Sequence, residues 1–166
     1  MLMEKSISDE LGHNFRQFMR HMAASVCIVS TAHNGEKVGM TVSSAVSLSF
    51  DPMSILVCIH QNSNFHKIVS ERDSFSVNLL HEDQAHISDK FSRPGSEDNL
   101  FSNGDWDMHA GEPYLKDAQG TLFLSIKDRH DYGTHTIIIG EVMGVKYRSD
   151  AMPLVYLNGS YQRWNT

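Results

Sequence analysis

The sequence predicts a mainly β, antiparallel domain, a barrel or a sandwich, with two or three short helices. Three observations carry that expectation. Short β-branched runs follow one another at close spacing without a helix between each pair, which a doubly wound parallel sheet would require. The pairs Asn34-Gly35 and Asn158-Gly159 are strong hairpin-turn signals. A chain of 166 residues, 40% apolar and 20% charged, makes about one domain with enough core to need no metal or disulfide staple.

Taken in order, residues 1–13 form a polar lead-in and residues 14–166 the folded domain. Asn14 with Gln17 resembles a capping box, and Phe15, Phe18, Met19 and Met22 make one apolar face of a first helix. Residues 26–32 and 37–40 then pair across Asn34-Gly35. Residues 41–50 are strand-like until Asp51-Pro52, and residues 54–60 read as a buried strand. A short helix is expected over residues 62–70, a strand over 74–80 and another short helix over 83–91. Residues 92–105 are rich in breakers, and a loop of that length in a compact domain is usually functional. Alternation over 121–128, a turn at Gly133, a long strand over 135–147 and a final hairpin of 154–157 with 160–164 bring the count to eight or nine strands.

Composition excludes several functions. With 14 Lys and Arg against 20 Asp and Glu, the net charge is −6, so neither a nucleic acid nor an anionic membrane is an expected partner. No apolar run approaches the roughly 18 residues that span a bilayer, and no signal-peptide stretch opens the sequence, so a cytoplasmic location is expected. Cys27 and Cys58 sit inside apolar runs and read as reduced core thiols. There is no Rossmann fingerprint, P-loop, nucleophile elbow or CxxC pair. His81 and His86 stand at i and i+5, one residue too far apart for a zinc helix, so no metal site is expected.

Four segments remain as candidate sites. Gly39-Met40-Thr41-Val42-Ser43-Ser44 is small and hydroxyl-rich at a strand junction, and suits a flat heteroaromatic ring or a phosphate, with Gly39 allowing a ligand or backbone to come close. Gln61-Asn62-Ser63-Asn64 follows a buried strand and opens a helix, where N–H groups attract anions or a side chain simply caps. Lys90-Phe91-Ser92-Arg93 places two cations and a hydroxyl beside the long loop. Gly133-Thr134-His135-Thr136 puts a histidine at a hairpin mouth, where it reaches a bound amide or only solvent.

These segments, with the opening run at residues 15–31, Asp51-Pro52-Met53 leading into a strand, residues 75–80 and Pro153-Leu154-Val155-Tyr156 followed by Tyr161, stand in an order that resembles the short-chain flavin reductase family. These are the reductase components of two-component flavin-dependent monooxygenases. The resemblance covers nearly the whole chain, from about residue 14 to 164, and departs at Met53, where a second proline is common. It implies an antiparallel split β-barrel of Greek-key type, working as a homodimer. It implies FMN or FAD bound near the dimer interface, reduction by NADH or NADPH, and departure of reduced flavin to a flavin-dependent oxygenase. By the same resemblance, Thr41, Val42, Ser43 and Ser44 face the flavin ring edge and ribityl chain, and Asn62 and Ser63 help hold the ribityl-phosphate end. Lys90, Phe91 and Ser92 form a second flavin-contacting segment with Arg93 adjacent, and His135 lies near the nicotinamide.

Such chemistry needs no charged acid–base pair, because the cofactors carry it and the protein supplies stacking, orientation and electrostatics. Few buried ionic clamps suit a flavin that must leave, and the 92–105 loop is expected to cover the site and open for exchange. Two other readings compete: a split-barrel protein that binds flavin without turning it over, and an oxidase of the pyridoxamine-phosphate type. The latter would need a strongly basic phosphate pocket, for which few arginines are available.

Overall fold

In the computed structural model, the described residues are 2–93, 100–102 and 104–163. Helix α1 (Leu2–Arg20) is followed by strands β1 (Ala24–Ser25), β2 (Cys27–His33), β3 (Glu36–Val42), β4 (Val46–Phe50) and β5 (Met53–His60). Then come α2 (Asn64–Val69), β6 (Ser74–Leu79), a 3₁₀ turn (Glu82–Gln84) and α3 (Ala85–Ser92). The chain ends with β7 (Trp106–His109), β8 (Glu112–Leu115), β9 (Gly120–Tyr132), β10 (His135–Tyr147), β11 (Val155–Leu157) and β12 (Ser160–Gln162).

Seven strands form one antiparallel sheet in the order β3-β2-β6-β9-β10-β5-β4. Three hairpins and the single strand β6 build it, and their order in space is not their order in the chain, as the Greek-key expectation requires. The expected pairing across Asn34-Gly35 holds, with Ala32 opposite Lys37 and Thr31 opposite Val38. Asn34 and Gly35 both adopt positive φ, 51° and 84°, the turn that matches the right-handed twist of the strands. A second sheet joins β1, β11 and β12, and β7 with β8 forms a separate hairpin.

Strand β2 shows why one apolar run becomes the centre of the molecule. Cys27 and Val29 face one core cluster, with Val57, Ile59, Phe65, Phe75, Leu124 and Ile138. Val26 and Ile28 face the other, with Leu80, Ile87, Phe91, Trp106, Leu115 and Leu154. A strand covered on both faces reads as continuous hydrophobics instead of alternating ones. Burial in the first cluster pushes the Cys27 thiol up to about 12, so it stays protonated.

Four features differ from the sequence expectations. Helix α1 starts at Leu2, because nothing in the expected polar lead-in, with no proline and the single Gly12, halts helix propagation. Its Phe15, Phe18 and Met19 are exposed, as is Met22 just beyond its end, so this apolar face does not reach the core of its own chain. The expected continuous strand over 41–50 breaks at Ser43-Ser44-Ala45. The β7–β8 hairpin turns on Ala110-Gly111 at φ 50° and 88°, a pair that carries little turn signal in sequence. Residues 94–99 and 103 of the expected covering loop, and Trp164 of the expected last strand, lie outside the described residues.

The β3–β4 break has a polar cause. Ser44 Oγ accepts from the Cys58 N–H at 3.1 Å and donates to the Cys58 carbonyl at 3.1 Å. One hydroxyl thereby replaces a rung of backbone ladder and ties the end of β3 to β5. Buried Asn78 does similar work further along: its amide donates to the Ile28 carbonyl and accepts from the Leu115 N–H, joining β2, β6 and β8. Among the described residues, no helix is long and apolar enough to cross a membrane.

Ser44→Ala removes both bonds to the Cys58 backbone. It should lower unfolding free energy by about 1–3 kcal/mol, read from the urea midpoint at unchanged slope; an unmoved midpoint would show the clamp to be dispensable.

Candidate functional site

Among the described residues, a large cavity of about 1060 Å³ lies between β3, the β5–α2 junction, α3 and the β11–β12 hairpin. Its walls are drawn from residues as far apart as Val26 and Tyr161, so distant parts of the chain meet to form it.

The contact of β3 with α3 shapes it. A Cβ on Gly39 would lie 2.9 Å from Phe91 Cε1 and 2.9 Å from the Val29 carbonyl oxygen. The close approach that Gly39 permits is therefore that of the Phe91 ring and its own sheet neighbour. Phe91 is 5% exposed and packs edge-on to Phe101 at 5.3 Å, with Trp106 at 5.2 Å. One residue pair along, Thr41 Oγ1 donates to the Ser88 carbonyl at 2.7 Å.

Most candidate residues meet here, in unequal roles. Thr41, Val42, Ser43, Asn62, Ser63, Phe91, Ser92 and Arg93 line the cavity. Thr41's hydroxyl is committed to α3, and Val42 is buried with the core. Ser63 caps α2: its Oγ accepts from His66 N–H at 3.1 Å and donates to the His60 carbonyl at 2.7 Å. That is a side-chain cap on a helix only six residues long. Ser92 Oγ donates to the Asp89 carbonyl at 3.0 Å. The side chains of Ser43 and Asn62 are exposed and make no hydrogen bond among the described residues.

Three candidates do not line the cavity. Ser44 serves Cys58, and the Lys90 ammonium lies 3.4 Å from the Leu100 carbonyl. His135 is the third. It opens β10 opposite His60 at the end of β5, and the two rings meet edge to face at 5.0 Å. His60 is the member that lines the cavity.

Sequence reading missed several wall residues. In sequence, His60 is only the end of a buried strand. Lys37 shares the α3-facing side of β3 with Gly39 and Thr41, by the two-residue period of a strand. Tyr161 donates its hydroxyl to Ser88 Oγ at 2.8 Å, with Asp89 Oδ1 at 3.1 Å. Partial burial pushes the Tyr161 phenol above its usual range, and the Asp89 carboxylate adds to this. Glu36 and Asp89 offset Lys37 and Arg93 on the wall, so the cavity carries no concentrated charge. Among the described residues, no three His, Cys, Asp or Glu side chains gather as metal ligands. His81 and His86 instead bond to the backbone of the turn that carries them.

A family model described as flavin reductase like domain matches residues 19–165. The chain belongs to the flavin reductase family. It is 36% identical over 154 residues to the reductase component of an FADH2-dependent resorcinol hydroxylase from Rhizobium sp., covering 91% of this chain and 86% of that protein. It is 28% identical over 161 residues to an FMN reductase (NADH) from Agrobacterium fabrum, covering 96% of this chain and 92% of that one. A flavin reductase domain protein from Arthrobacter sp. FB24 superposes with a TM-score of 0.85 at 26% identity, over 93% of this chain and 96% of that one. The antiparallel split barrel expected from the sequence is the fold of this flavin reductase family member.

Gly39→Ala forces either the Phe91 ring or the Val29 backbone to move. Unfolding free energy should fall by about 1–3 kcal/mol, and near-ultraviolet circular dichroism of the Phe91–Trp106 cluster should change. An unaltered spectrum with full stability would mean that the wall yields freely.

Proposed function

We propose that this protein is the reductase of a two-component flavin-dependent monooxygenase, taking electrons from NADH, reducing free FMN or FAD and releasing the reduced flavin to an oxygenase. One observation carries the reading: every wall of the cavity falls inside the 19–165 match to the flavin reductase like domain.

The wall residues fit a flavin by the chemistry of their donors. Ser43 and Asn62 offer uncommitted polar groups to a ring edge or a ribityl chain. The apolar flank of Phe91 and Val42 suits a flat ring, and Lys37 and Arg93 offer charge to a phosphate at their end of β3. On this reading Asn62 meets the ribityl chain, while Lys90 and Ser44 support the site from behind. Bound together, nicotinamide and flavin supply hydride transfer from C4 of one to N5 of the other. The protein's part is to hold the two rings face to face and to keep one flavin face open. On this reading His135, at the hairpin mouth, helps to set how the nicotinamide lies. NADH is expected over NADPH, because Arg93 is the only arginine on the described wall and a 2′-phosphate calls for a cluster. A cytoplasmic setting fits free thiols at Cys27 and Cys58.

We propose a homodimer because of what a single copy leaves uncovered. Leu11, Phe15, Phe18 and Met19 on α1 and Met22 beside it are exposed, and so are Val46, Leu48 and Phe50 along the sheet-edge strand β4, with Phe50 at 90%. An apolar helix face and an apolar edge strand of this extent are expected to meet a second copy.

Purified protein should oxidise NADH only when FMN or FAD is added. His135→Ala should raise KM for NADH several-fold more than KM for flavin. Tight flavin binding without NADH oxidation would support a binding protein instead.

Light scattering after size exclusion should give twice 18.7 kDa, and Phe18→Glu should shift the mass toward one copy. A wild-type mass of 18.7 kDa would remove the dimer.

A further inference from the structure

The end of β5 holds a histidine whose geometry is more constrained than anything its sequence position suggests. The His60 carbonyl accepts from both the Ser63 N–H at 3.0 Å and the Ser63 hydroxyl at 2.7 Å. Its backbone is paired with His135 across the β5–β10 ladder, and its ring meets the His135 ring edge to face. Its Nδ1 accepts the Asn62 N–H at 3.1 Å. An Nδ1 that accepts must be unprotonated in the neutral ring, so the proton sits on Nε2. His60 lines the cavity and its ring carries one donor of defined identity, while His135 does not line it and has its own Nδ1 2.9 Å from Thr134 Oγ1.

We propose that His60 is the histidine that meets the ligand, donating Nε2–H to a carbonyl oxygen of a bound redox ring, and that His135 is a positioning residue acting through it. The inference rests on the reductase reading above. Both candidate ligands carry such an oxygen: the flavin on its pyrimidine ring, the nicotinamide on its carboxamide. A donor with a fixed tautomer distinguishes a carbonyl from an amino group and so fixes which way the ring lies. Through edge-to-face packing, His135 restrains the orientation of the His60 ring without lining the cavity itself.

The test uses two substitutions that separate the two ring nitrogens. His60→Gln places an amide donor near the position of Nε2, while His60→Asn places an acceptor near that of Nδ1. FMN binding is read by flavin fluorescence, and NAD+ binding to the FMN-saturated protein by calorimetry. His60→Ala and His60→Asn should weaken one of the two arms about five- to tenfold, the loss expected for a single neutral hydrogen bond, and the arm that moves names the ring. His60→Gln should stay within about twofold of wild type. Adding His135→Ala to His60→Ala should cause little further loss.

Retention of binding by His60→Asn with loss in His60→Gln would assign the ring to bracing the 60–63 turn and overturn the proposal. So would wild-type binding in all three variants. A full additional loss from His135→Ala would show that His135 meets the ligand itself. Failure of wild-type protein to bind flavin or oxidise NADH would instead sink the reductase reading. If the variants do not fold, nitrogen NMR of wild-type imidazoles decides: the His60 Nε2 signal should shift on ligand saturation, and a fixed signal overturns the proposal.

Discussion

The site depends on the seating of the Phe91 ring over Gly39. Helix α3 can lie against β3 only because position 39 carries no side chain. The ring comes so near that a single added carbon would press on both it and the Val29 carbonyl. Thr41 fixes the same contact by bonding to the Ser88 carbonyl, and Tyr161 fixes the far side by bonding to the Ser88 hydroxyl. Ser88 is fully buried, so each of these bonds also satisfies a group that would otherwise cost free energy. The cavity is what remains between elements held at that separation.

Hydroxyl groups divide into two sets within this arrangement. Ser44, Thr41 and Ser63 are consumed by structure: one ties β3 to β5, one seats α3, one caps α2. Ser43 and Asn62 line the cavity, and their side chains make no hydrogen bond among the described residues. A ligand held by a few neutral donors and an apolar flank, with opposing charges on the wall, is held modestly, because neutral hydrogen bonds contribute about 1 kcal/mol each. Modest retention is what a carrier that must depart requires. The same economy leaves rate enhancement to ring placement, which is worth far more than a single bond.

Much of the fold was legible because its signals are local. Two Asn-Gly turns set two hairpins, and the period-two and continuous apolar runs marked β2, β5, β6, β9 and β10. The β7–β8 hairpin was not legible: its turn is Ala110-Gly111, a poor turn pair, and it is held by distant groups, with the Pro113 carbonyl accepting from Ser30 and Ser76. Helix α1 hid its start because helical propagation needs no apolar pattern, only the absence of a stop. At the site, the small hydroxyl segment, the α2 entry and the α3 end stand far apart in the chain and border one cavity in the fold. Which hydroxyls were free did not show, since Ser43 and Ser44 are neighbours of identical chemistry and only the nearness of Cys58 separates them.

By itself the sequence determined the fold class, the family and the segments that border the cavity, because hydrophobic period, turn residues and motif order are properties of the chain read in one dimension. Tertiary structure alone decided that Gly39 makes room for Phe91, and that His60 instead of His135 stands at the wall. It also left the apolar face of α1 uncovered. Each of these is settled by the distance between residues far apart in the chain, set when β3 meets α3 and β5 meets β10, and no local pattern encodes that distance.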